Sequence, residues 1–448
     1  GPGVVISAGI AAAAGIGLTV SKVTYPSVAA HRCGARVYGE ENVAAGDALV
    51  AAGVTLLEVD FHFTSDAVAV LMHDATVDRT TTGTGTITDL TAAEIAAMSI
   101  DVNAQLSATG YDDQPVPTLQ EFAARYKRRA VLVAQMQSGG DASRVAALAA
   151  ALSDAGMKRR MIIQSVVEAD CVQWIGHGFT TMFLTQVDLD WAALVAAGHV
   201  WVGIQFTGSG TAPEVARVAA AKAAGLSVAT FTHVSRAAVQ AAIAAGSDMP
   251  MSDYPIFGSR SAQPSVMSVT FASGRYPDGD VTATLGTPTI TGGRLTFVGT
   301  SGEYNALIGA CAPITATSFT ASVTHRHTAT PAGWMGIVVQ GPDDRGYKAS
   351  GATGYHALLR NTGAVDLYRF TGTTPTLIGS VAGAALSLGV DYTVTVRITP
   401  SQVIATRVDT GGSIAVNDTT YRHTEWFPHV NRTTTAVGGW SAVSVTPS

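Results

Sequence analysis

Between His31 and Asp74 the chain carries two histidines and several carboxylates at spacings that could bring them to one site. They come in four short groups, His31-Arg32, Glu41-Asn42, Glu58-x-Asp60 and His73-Asp74. Two imidazoles can donate and accept protons, and a pair of carboxylates can bind a divalent cation. If these groups converge, they suit acid–base chemistry on a phosphodiester.

The elements that must position them follow an alternating pattern. Short apolar runs alternate with Ala-rich stretches in which apolar residues recur at helical spacing. The runs are Val28-His31, Leu56-Asp60, Val131-Gln135, Met161-Ser165, Thr181-Thr185, Trp201-Gln205, Ser227-Phe231 and Asp248-Ser252. The helical stretches include Asn42-Ala52, Ala142-Ala155, Asp190-Ala197, Ala212-Ala224 and Ser235-Ala245. The pattern predicts a parallel (β/α)₈ TIM barrel. An open doubly wound sheet is the alternative, although no glycine-rich phosphate-binding sequence follows the first run.

On this scaffold the polar groups fall where chemistry is expected. His31 ends the first predicted strand, and Glu58 and Asp60 end the second. His73 ends a short strand that follows as a hairpin. The active sites of such barrels lie at the carboxyl ends of the strands. Residues two apart on a strand share a face, so Glu58 and Asp60 present two oxygen ligands together, which suits Mg²⁺ or Ca²⁺ better than zinc.

Length and composition predict two domains. At 448 residues the chain exceeds what one hydrophobic core usually supports. Near Ala262 the sequence turns to alternating Thr- and Val-rich runs with turn signals, which indicates an antiparallel β-sandwich, jelly-roll-like. The predicted division is an apolar, helical segment at 1–24, the barrel at 25–261 and the sandwich at 262–448, with a linker near Arg260-Pro264.

Charge and hydropathy exclude some partners. A net charge of −6 without long like-charged runs argues against nucleic acid. The apolar run Val4 to Val20 is rich in Ala and Gly and short for a membrane span, so none is expected.

Several motifs in order resemble the glycerophosphodiester phosphodiesterase family. They are His31-Arg32-x-Gly34, Glu41-Asn42, Leu57-Glu58-x-Asp60, Thr64-x-Asp66, His73-Asp74, Asp78-Arg79-Thr80-Thr81, Gly85, Pro117-Thr118-Leu119-x-x-Phe122, Gln164-Ser165 and Ser252-Asp253-Tyr254-Pro255. The resemblance covers Tyr25 to about Ser259. It implies a TIM barrel and a metal-dependent hydrolase of glycerophosphodiesters, in which a hydroxyl of the substrate glycerol attacks phosphorus.

The resemblance also implies roles for individual residues. His31 and His73 would be the general acid and base. Glu58 and Asp60, with Glu41, would bind the divalent metal, Ca²⁺ or Mg²⁺, and Arg32 would bind phosphate. Where the family carries Glu-x-Lys, this chain has Gln135-Met136-Gln137. Gln135 would then be an uncharged metal ligand, and Gln137 would stand in the place of the phosphate-binding lysine.

The sandwich allows two interpretations of its aromatic residues, as a carbohydrate-binding platform or as core. These residues are Trp334, Tyr347, Tyr355, Tyr368, Trp426 and Trp440. His325-x-His327 and Asp343-Asp344 are expected at the surface. The domain resembles lectin-like modules of bacteriophage tail and cell-surface hydrolases.

Two hypotheses for the whole chain follow. The first is a phosphodiesterase acting on small glycerophosphodiesters or on teichoic-acid-type wall polymers, with the sandwich binding surface glycan. The second is a catalytically impaired barrel that serves as a receptor-binding or adhesion protein. An extracellular or virion location is expected, with a secreted or cell-surface one as the alternative, and a homo-oligomer such as a trimer is conceivable.

Overall fold

The computed structural model of the chain describes residues 17–255, 267–276, 281–299, 302–308 and 313–448. The chain divides into two compact units. The first comprises Gly1–Leu106 and Asp112–Ser261, and the second comprises Ser107–Tyr111 and Ala262–Ser448. Most of the N-terminal segment predicted to be helical, residues 1–16, lies outside the described residues, as does the predicted linker. From residue 17 to residue 24, the described part of that segment contains one 3₁₀ turn, Val20–Lys22.

A closed parallel barrel forms the described part of the first unit. The strands of this unit, in chain order, are β1 (Ala29–Ala30), β2 (Leu56–Phe63), β3 (Ala69–Leu71), β4 (Ser99–Ile100), β5 (Gln114–Pro115), β6 (Val131–Ser138), β7 (Met161–Ser165), β8 (Thr180–Thr185), β9 (Trp201–Gln205), β10 (Ser227–His233) and β11 (Met249–Ser252). Of these, β3 pairs antiparallel with β2, and β4 and β5 form a separate two-stranded sheet. Among the described residues the barrel order is β1-β2-β6-β7-β8-β9-β10-β11, and β11 pairs with β1 to close it. The predicted TIM barrel is therefore confirmed.

Helices alternate with the barrel strands. They are α1 (Ala35–Tyr38), α2 (Val43–Ala51), α3 (Ala92–Ala96), α4 (Val102–Leu106), α5 (Leu119–Tyr126), α6 (Ala142–Asp154), α7 (Glu168–Gly176), α8 (Trp191–Ala196), α9 (Ala212–Ala223) and α10 (Arg236–Ala245), with further 3₁₀ turns at His31–Cys33 and Ile87–Asp89. Several begin one residue after the predicted start. In α2 and α8 the predicted first residue, Asn42 or Asp190, is instead the N-cap, and its side chain accepts a backbone hydrogen bond.

Several strand ends differ from the prediction, among them those of β1 and β2. β1 stops at Ala30, and His31 begins a 3₁₀ turn in which Arg32 has a φ of 45°. β2 continues past Asp60 to Phe63 because β3 pairs antiparallel with its end, Phe61 facing Leu71. Glu58 and Asp60 thus lie within a fully buried strand rather than at its end.

The described part of the second unit consists mainly of antiparallel strands. They are β12 (Met267–Thr270), β13 (Val281–Leu285), β14 (Thr287–Thr291), β15 (Arg294–Val298), β16 (Glu303–Ile308), β17 (Phe319–His327), β18 (Trp334–Gly341), β19 (Thr353–Arg360), β20 (Val365–Thr371), β21 (Thr374–Val381), β22 (Asp391–Ile398), β23 (Val403–Arg407), β24 (Ser413–Val416), β25 (Phe427–Thr433) and β26 (Gly438–Pro447). One sheet has the order β14-β15-β26-β17-β22-β23-β24, with β12 beside β26, and the other has the order β13-β16-β25-β18-β19-β20-β21. Side chains of both sheets form one core, consistent with the predicted sandwich.

Some side chains of this unit lie elsewhere than predicted. His325 and His327, expected at the surface, are buried on the inward phase of β17. Asp344 is also buried. Of the six aromatic residues, Trp426, Trp440, Tyr355 and Tyr347 are buried, which confirms the core interpretation for them, whereas Trp334 and Tyr368 are only partly buried.

Candidate active site

The barrel holds a cavity of about 230 Å³ that several of the predicted site residues line. Its lining comprises His31, Arg32, Glu58, His73, Gln135, Gln164, Val166, Leu184, Thr185, Gln186, Phe231, Thr232 and Met251. The structure therefore brings both histidines, the arginine, one carboxylate and one glutamine of the predicted set to a single space. The other predicted residues, Glu41, Asp60 and Gln137, do not line the cavity but are linked to its lining.

His31 is held by a carboxylate from the far end of the barrel sequence. Its Nδ1 lies 2.6 Å from Oδ1 of Asp253, and Arg36 donates from Nε to the other oxygen of Asp253 at 3.1 Å. Burial alone would lower the pKa of His31, but the hydrogen bond with Asp253 and the charges of Glu58 and Asp253 together raise it above its usual value. With Nδ1 occupied, Nε2 is the ring nitrogen left for a ligand in the cavity.

His73 is held in a similar way. Its Nδ1 lies 2.8 Å from Oδ1 of Asp74, and Arg79 donates from Nε to Oδ2 of Asp74 at 2.6 Å. The hydrogen bonds with Arg79 hold the pKa of Asp74 well below its usual value. Arg79 also donates to both oxygens of Glu40 at 2.9 Å. Each cavity histidine is thus the first member of a His–Asp–Arg chain.

The carboxylates next to His31 are deeply buried. Glu58 accepts hydrogen bonds from the backbone of Arg32 at 2.7 Å and from Nε2 of Gln164 at 2.6 Å. Burial and the nearby charge of Asp60 raise the pKa of Glu58 to about 8. Glu41 accepts a hydrogen bond from the backbone of Asp60 at 2.6 Å, and burial, followed by the charge of Asp60, raises its pKa well above the usual value.

Asp60 sits between an amide and a guanidinium. Gln137 donates from Nε2 to Oδ1 of Asp60 at 2.6 Å, and Oδ2 lies 3.8 Å from Nε of Arg32. Arg32 also donates to Glu40 at 3.2 Å, so its guanidinium is shared between two acidic side chains. Gln137 therefore contacts a carboxylate, and its predicted phosphate contact stays a prediction.

The carboxylate oxygens of Glu41, Glu58 and Asp60 are the candidate ligands for a divalent cation. Within the described ranges no three His, Cys, Asp or Glu side chains are arranged as a ready ligand cluster. However, Oε2 of Glu41 and Oδ2 of Asp60 are buried and have no hydrogen-bond partner. Arg32 lies 3.8 Å from Oδ2 of Asp60 but donates no hydrogen bond to it, so both oxygens keep an acceptor position that a cation or a proton can occupy. The chemistry of these donors, together with Glu58, fits a hard cation such as Ca²⁺ or Mg²⁺.

Asp253 and Gln164 are among the site residues that were not assigned a role from the sequence, and both are distant in the chain from the residues they contact. Asp253 lies 222 positions from His31 and reaches it because β11 pairs with β1, with Ala30 facing Ser252. Gln164 on β7 donates to Glu58 on β2, two strands away in the barrel. Both fall in sequence motifs that the resemblance had marked, which was the signal available for them.

The sequence matches a known protein family over the range that forms this site. The model of the glycerophosphoryl diester phosphodiesterase family matches residues 31–256, just over half of the chain. The chain belongs to this family. The matched range contains the cavity and both His–Asp–Arg chains.

Individual members of the glycerophosphoryl diester phosphodiesterase family match over shorter stretches. Human glycerophosphodiester phosphodiesterase 1 is 43% identical over 98 residues, which is 22% of this chain and 29% of that protein. A putative glycerophosphodiester phosphodiesterase of Bacillus subtilis is 32% identical over 111 residues, 25% of this chain and 44% of that protein. The chain therefore spans less than half the length of these curated relatives.

Solved structures of the family are also similar. A putative glycerophosphoryl diester phosphodiesterase from Silicibacter pomeroyi is 23% identical, with a TM-score of 0.46, covering 51% of this chain and 90% of that chain. A phosphodiesterase from Oleispira antarctica, solved with the product sn-glycerol-3-phosphate, is 21% identical, with a TM-score of 0.46, covering 52% of this chain and 94% of that chain.

Proposed function

We propose that the barrel hydrolyses glycerophosphodiesters to glycerol phosphate and an alcohol. The observation that carries the proposal is the pair of His–Asp–Arg chains on one cavity, because each chain leaves the Nε2 atom of a histidine for substrate. Arg32 and Glu58 line the same cavity. Membership of the glycerophosphoryl diester phosphodiesterase family supports the same reaction.

In the proposed reaction the two histidines divide the proton transfers. His73 accepts the proton of a glycerol hydroxyl as that oxygen attacks phosphorus. The bond from phosphorus to the alcohol oxygen breaks, and His31 gives its proton to the departing alcohol. Water then opens the cyclic phosphate with the roles reversed. His31 is assigned as the first acid because its raised pKa keeps it protonated over a wider pH range. An attacking group within the substrate gains from proximity, so no nucleophile from the protein is needed.

A bound divalent cation would neutralise the charge on the phosphate oxygens. Glu41, Glu58 and Asp60 would hold it, with Gln135 as an uncharged oxygen ligand. Two buried carboxylate oxygens that accept no hydrogen bond, Oε2 of Glu41 and Oδ2 of Asp60, support this assignment. Arg32, which lines the cavity and contacts Asp60 at 3.8 Å, would keep that carboxylate oriented and would contact phosphate.

A second function has one specific observation in its favour. Gln137 is bonded to Asp60, and Gln135 is uncharged, where the resemblance implies a glutamate and a lysine. A barrel without those two charges could bind phosphodiesters without turning them over, as a receptor-binding or adhesion protein. Comparing turnover with binding of the same substrate separates the two functions.

For the second unit we propose binding of surface glycan, at the face of its sheet that carries Trp334 and Tyr368. Strand register places Val338, His356 and Tyr368 in one row, and Trp334 lies on the same face of β18. Both aromatic rings are partly exposed, so they can stack on sugar rings. Trp334→Ala is expected to weaken retention on glycan beads.

Four further points stay predictions: a wall-polymer substrate, a phage-tail setting, a virion or secreted location, and a trimer.

The proposed reaction is tested by release of glycerol phosphate. The protein is incubated with glycerophosphocholine, with other small glycerophosphodiesters and with purified wall polymer, in Ca²⁺, in Mg²⁺ and in excess chelator. We expect cation-dependent release that is lost in both His31→Ala and His73→Ala. Binding without release from every substrate would favour the receptor-binding function instead.

A further inference from the structure

A third histidine lies close to the site, on the strand that supplies the proposed cation ligands. Glu58, Asp60 and His62 are alternate residues of β2, so their side chains leave the same face of the strand. His62 is only 3% exposed and is not among the described residues that line the cavity. Any effect of His62 on the substrate must therefore pass through another residue.

Both ring nitrogens of His62 have partners. Nε2 lies 3.0 Å from the backbone carbonyl oxygen of His73, and Nδ1 lies 2.6 Å from Oγ of Ser138. A carbonyl oxygen only accepts, so Nε2 carries the hydrogen and donates it. In the neutral ring Nδ1 is then an acceptor, and Ser138 is its donor. Together the two bonds fix the tautomer and the orientation of the ring.

A β-bulge in β6 brings Ser138 to this position. His62 faces Ser138, whereas the preceding residue of β2 faces Met136, so Gln137 is an extra residue of β6. From the bulge Gln137 donates to Asp60 at 2.6 Å. The same bulge therefore connects β6 to the proposed cation ligands and, through His62, to the proposed base.

The bond from His62 holds a segment that has left the sheet. The carbonyl group of His73 lies two residues beyond β3, past the last pair of its ladder with β2. Met72 still donates from its backbone to the carbonyl oxygen of Asp60 at 3.0 Å, and at the next residue the contact to β2 comes from the side chain of His62. Asp74 is the neighbour of His73 in the chain, so its bond to Nδ1 orients the ring without tying the segment to the barrel.

We infer that His62 is a positioning residue for His73, the base of the proposed reaction. This inference rests on the proposed function. By donating to the carbonyl group of His73, His62 sets the distance between that imidazole and the glycerol hydroxyl, whereas phosphate and cation are held by other residues. A displacement of about 1 Å in a catalytic group can cost about a hundredfold in rate. Loss of the bond should therefore lower kcat far more than it weakens binding.

The test compares two substitutions that replace different nitrogens of the ring. The amide nitrogen of glutamine can reach the position of Nε2, whereas that of asparagine reaches only the position of Nδ1. His62→Asn is expected to lower kcat for glycerophosphocholine about 10- to 100-fold, and His62→Gln is expected to recover most of this loss. Both variants should bind sn-glycerol 3-phosphate as tightly as wild type in calorimetry.

Two more variants complete the test. Ser138→Ala removes the donor to Nδ1 and leaves the ring in place, so it should lower kcat by less than His62→Asn does. His199→Asn is the matched control, since His199 is also buried but lies just before β9, at the amino ends of the strands, whereas the cavity lies at their carboxyl ends. Its kcat should equal that of wild type. Circular dichroism checks the fold of each variant.

The outcomes separate this inference from the proposed function. A low kcat with unchanged product binding in His62→Asn, recovered in His62→Gln, supports the inference. Wild-type kcat in His62→Asn, equal losses in both variants, or a parallel loss of product binding overturns it and leaves the hydrolase standing. If neither variant folds, Ser138→Ala decides in the same way: a lowered kcat with unchanged product binding supports the inference, and a wild-type kcat overturns it. No release by wild type overturns both the inference and the proposed function.

Discussion

Asp253→Asn tests the role of the longer His–Asp–Arg chain. Asparagine has the same shape as aspartate and keeps an oxygen that can accept a hydrogen bond, so the substitution removes the negative charge of the group 2.6 Å from Nδ1 of His31 while preserving packing. A hydrogen bond to a charged group is worth roughly 1.5–3 kcal/mol. If that stabilisation acts on the protonated ring in the transition state, kcat falls about 10- to 150-fold. A larger loss would mean that the ring also adopts the wrong tautomer.

The pH profile gives the sharper measurement. Asp253 raises the pKa of His31, so its loss lowers that pKa. A general acid must be protonated, and the alkaline limb of kcat/KM should therefore move to lower pH. The matched control is Asp190→Asn, because Asp190 caps α8 and asparagine caps helices equally well. An alkaline limb that stays in place in Asp253→Asn, with the fold intact by circular dichroism, would refute the assignment of His31 as the acid.

Three further predictions concern ionisation and cation binding. Glu58 has a pKa of about 8 in the folded chain, against an ordinary value of 4.5. Between pH 4.5 and about 8 the folded protein therefore holds a proton on Glu58 that the unfolded chain has lost. The cation-free protein should lose stability as the pH rises through this range. Urea unfolding should show this loss in wild type and a flatter profile in Glu58→Gln; equal slopes would contradict it. Gln135→Glu should tighten Ca²⁺ binding at least about tenfold by calorimetry, because Gln135 faces Asp60 in the strand register. The control Gln186→Glu, which adds a charge to the same cavity after β8, should stay close to wild type, and equal gains in both would speak against a cation at Glu58. Burial lowers the pKa of His429 to about 3, so the second unit should lose stability as pH falls from about 6.5. His429→Gln should reduce this loss of stability, measured by near-ultraviolet circular dichroism in urea. An unchanged loss would show that His429 is not responsible.

The barrel could be predicted from sequence because its strands are buried on both sides and therefore appear as short apolar runs. The starts of the five helical stretches named from the sequence agree with the structure to within one residue, since capping residues such as Asn42 precede them. The strand limits were less certain. β2 extends to Phe63 because it pairs with β3, and this hairpin contact is not visible in the composition of β2 itself.

The candidate site was predictable where a motif is local and not where it depends on closure of the barrel. His31 and Glu58 lie within the first segment, whereas Asp253 reaches His31 only when the last strand pairs with the first. The bond from Gln137 to Asp60 likewise needs the register of β2 against β6, in which Asp60 faces Gln135.

The error at His325 has a different cause, because the sequence did contain the signal. Along β17 buried and half-buried residues alternate from Phe319 to His327, so the two histidines share the inward phase of their apolar neighbours. Expecting them at the surface gave more weight to residue type than to strand period.

The most direct test of the account is a crystal structure of the protein with sn-glycerol 3-phosphate and Ca²⁺. The account predicts phosphate oxygens within about 3 Å of Nε2 of both His31 and His73, with the cation at Glu58 and Asp60. Phosphate bound away from the two rings, or either ring turned so that Nε2 faces the protein, would contradict it.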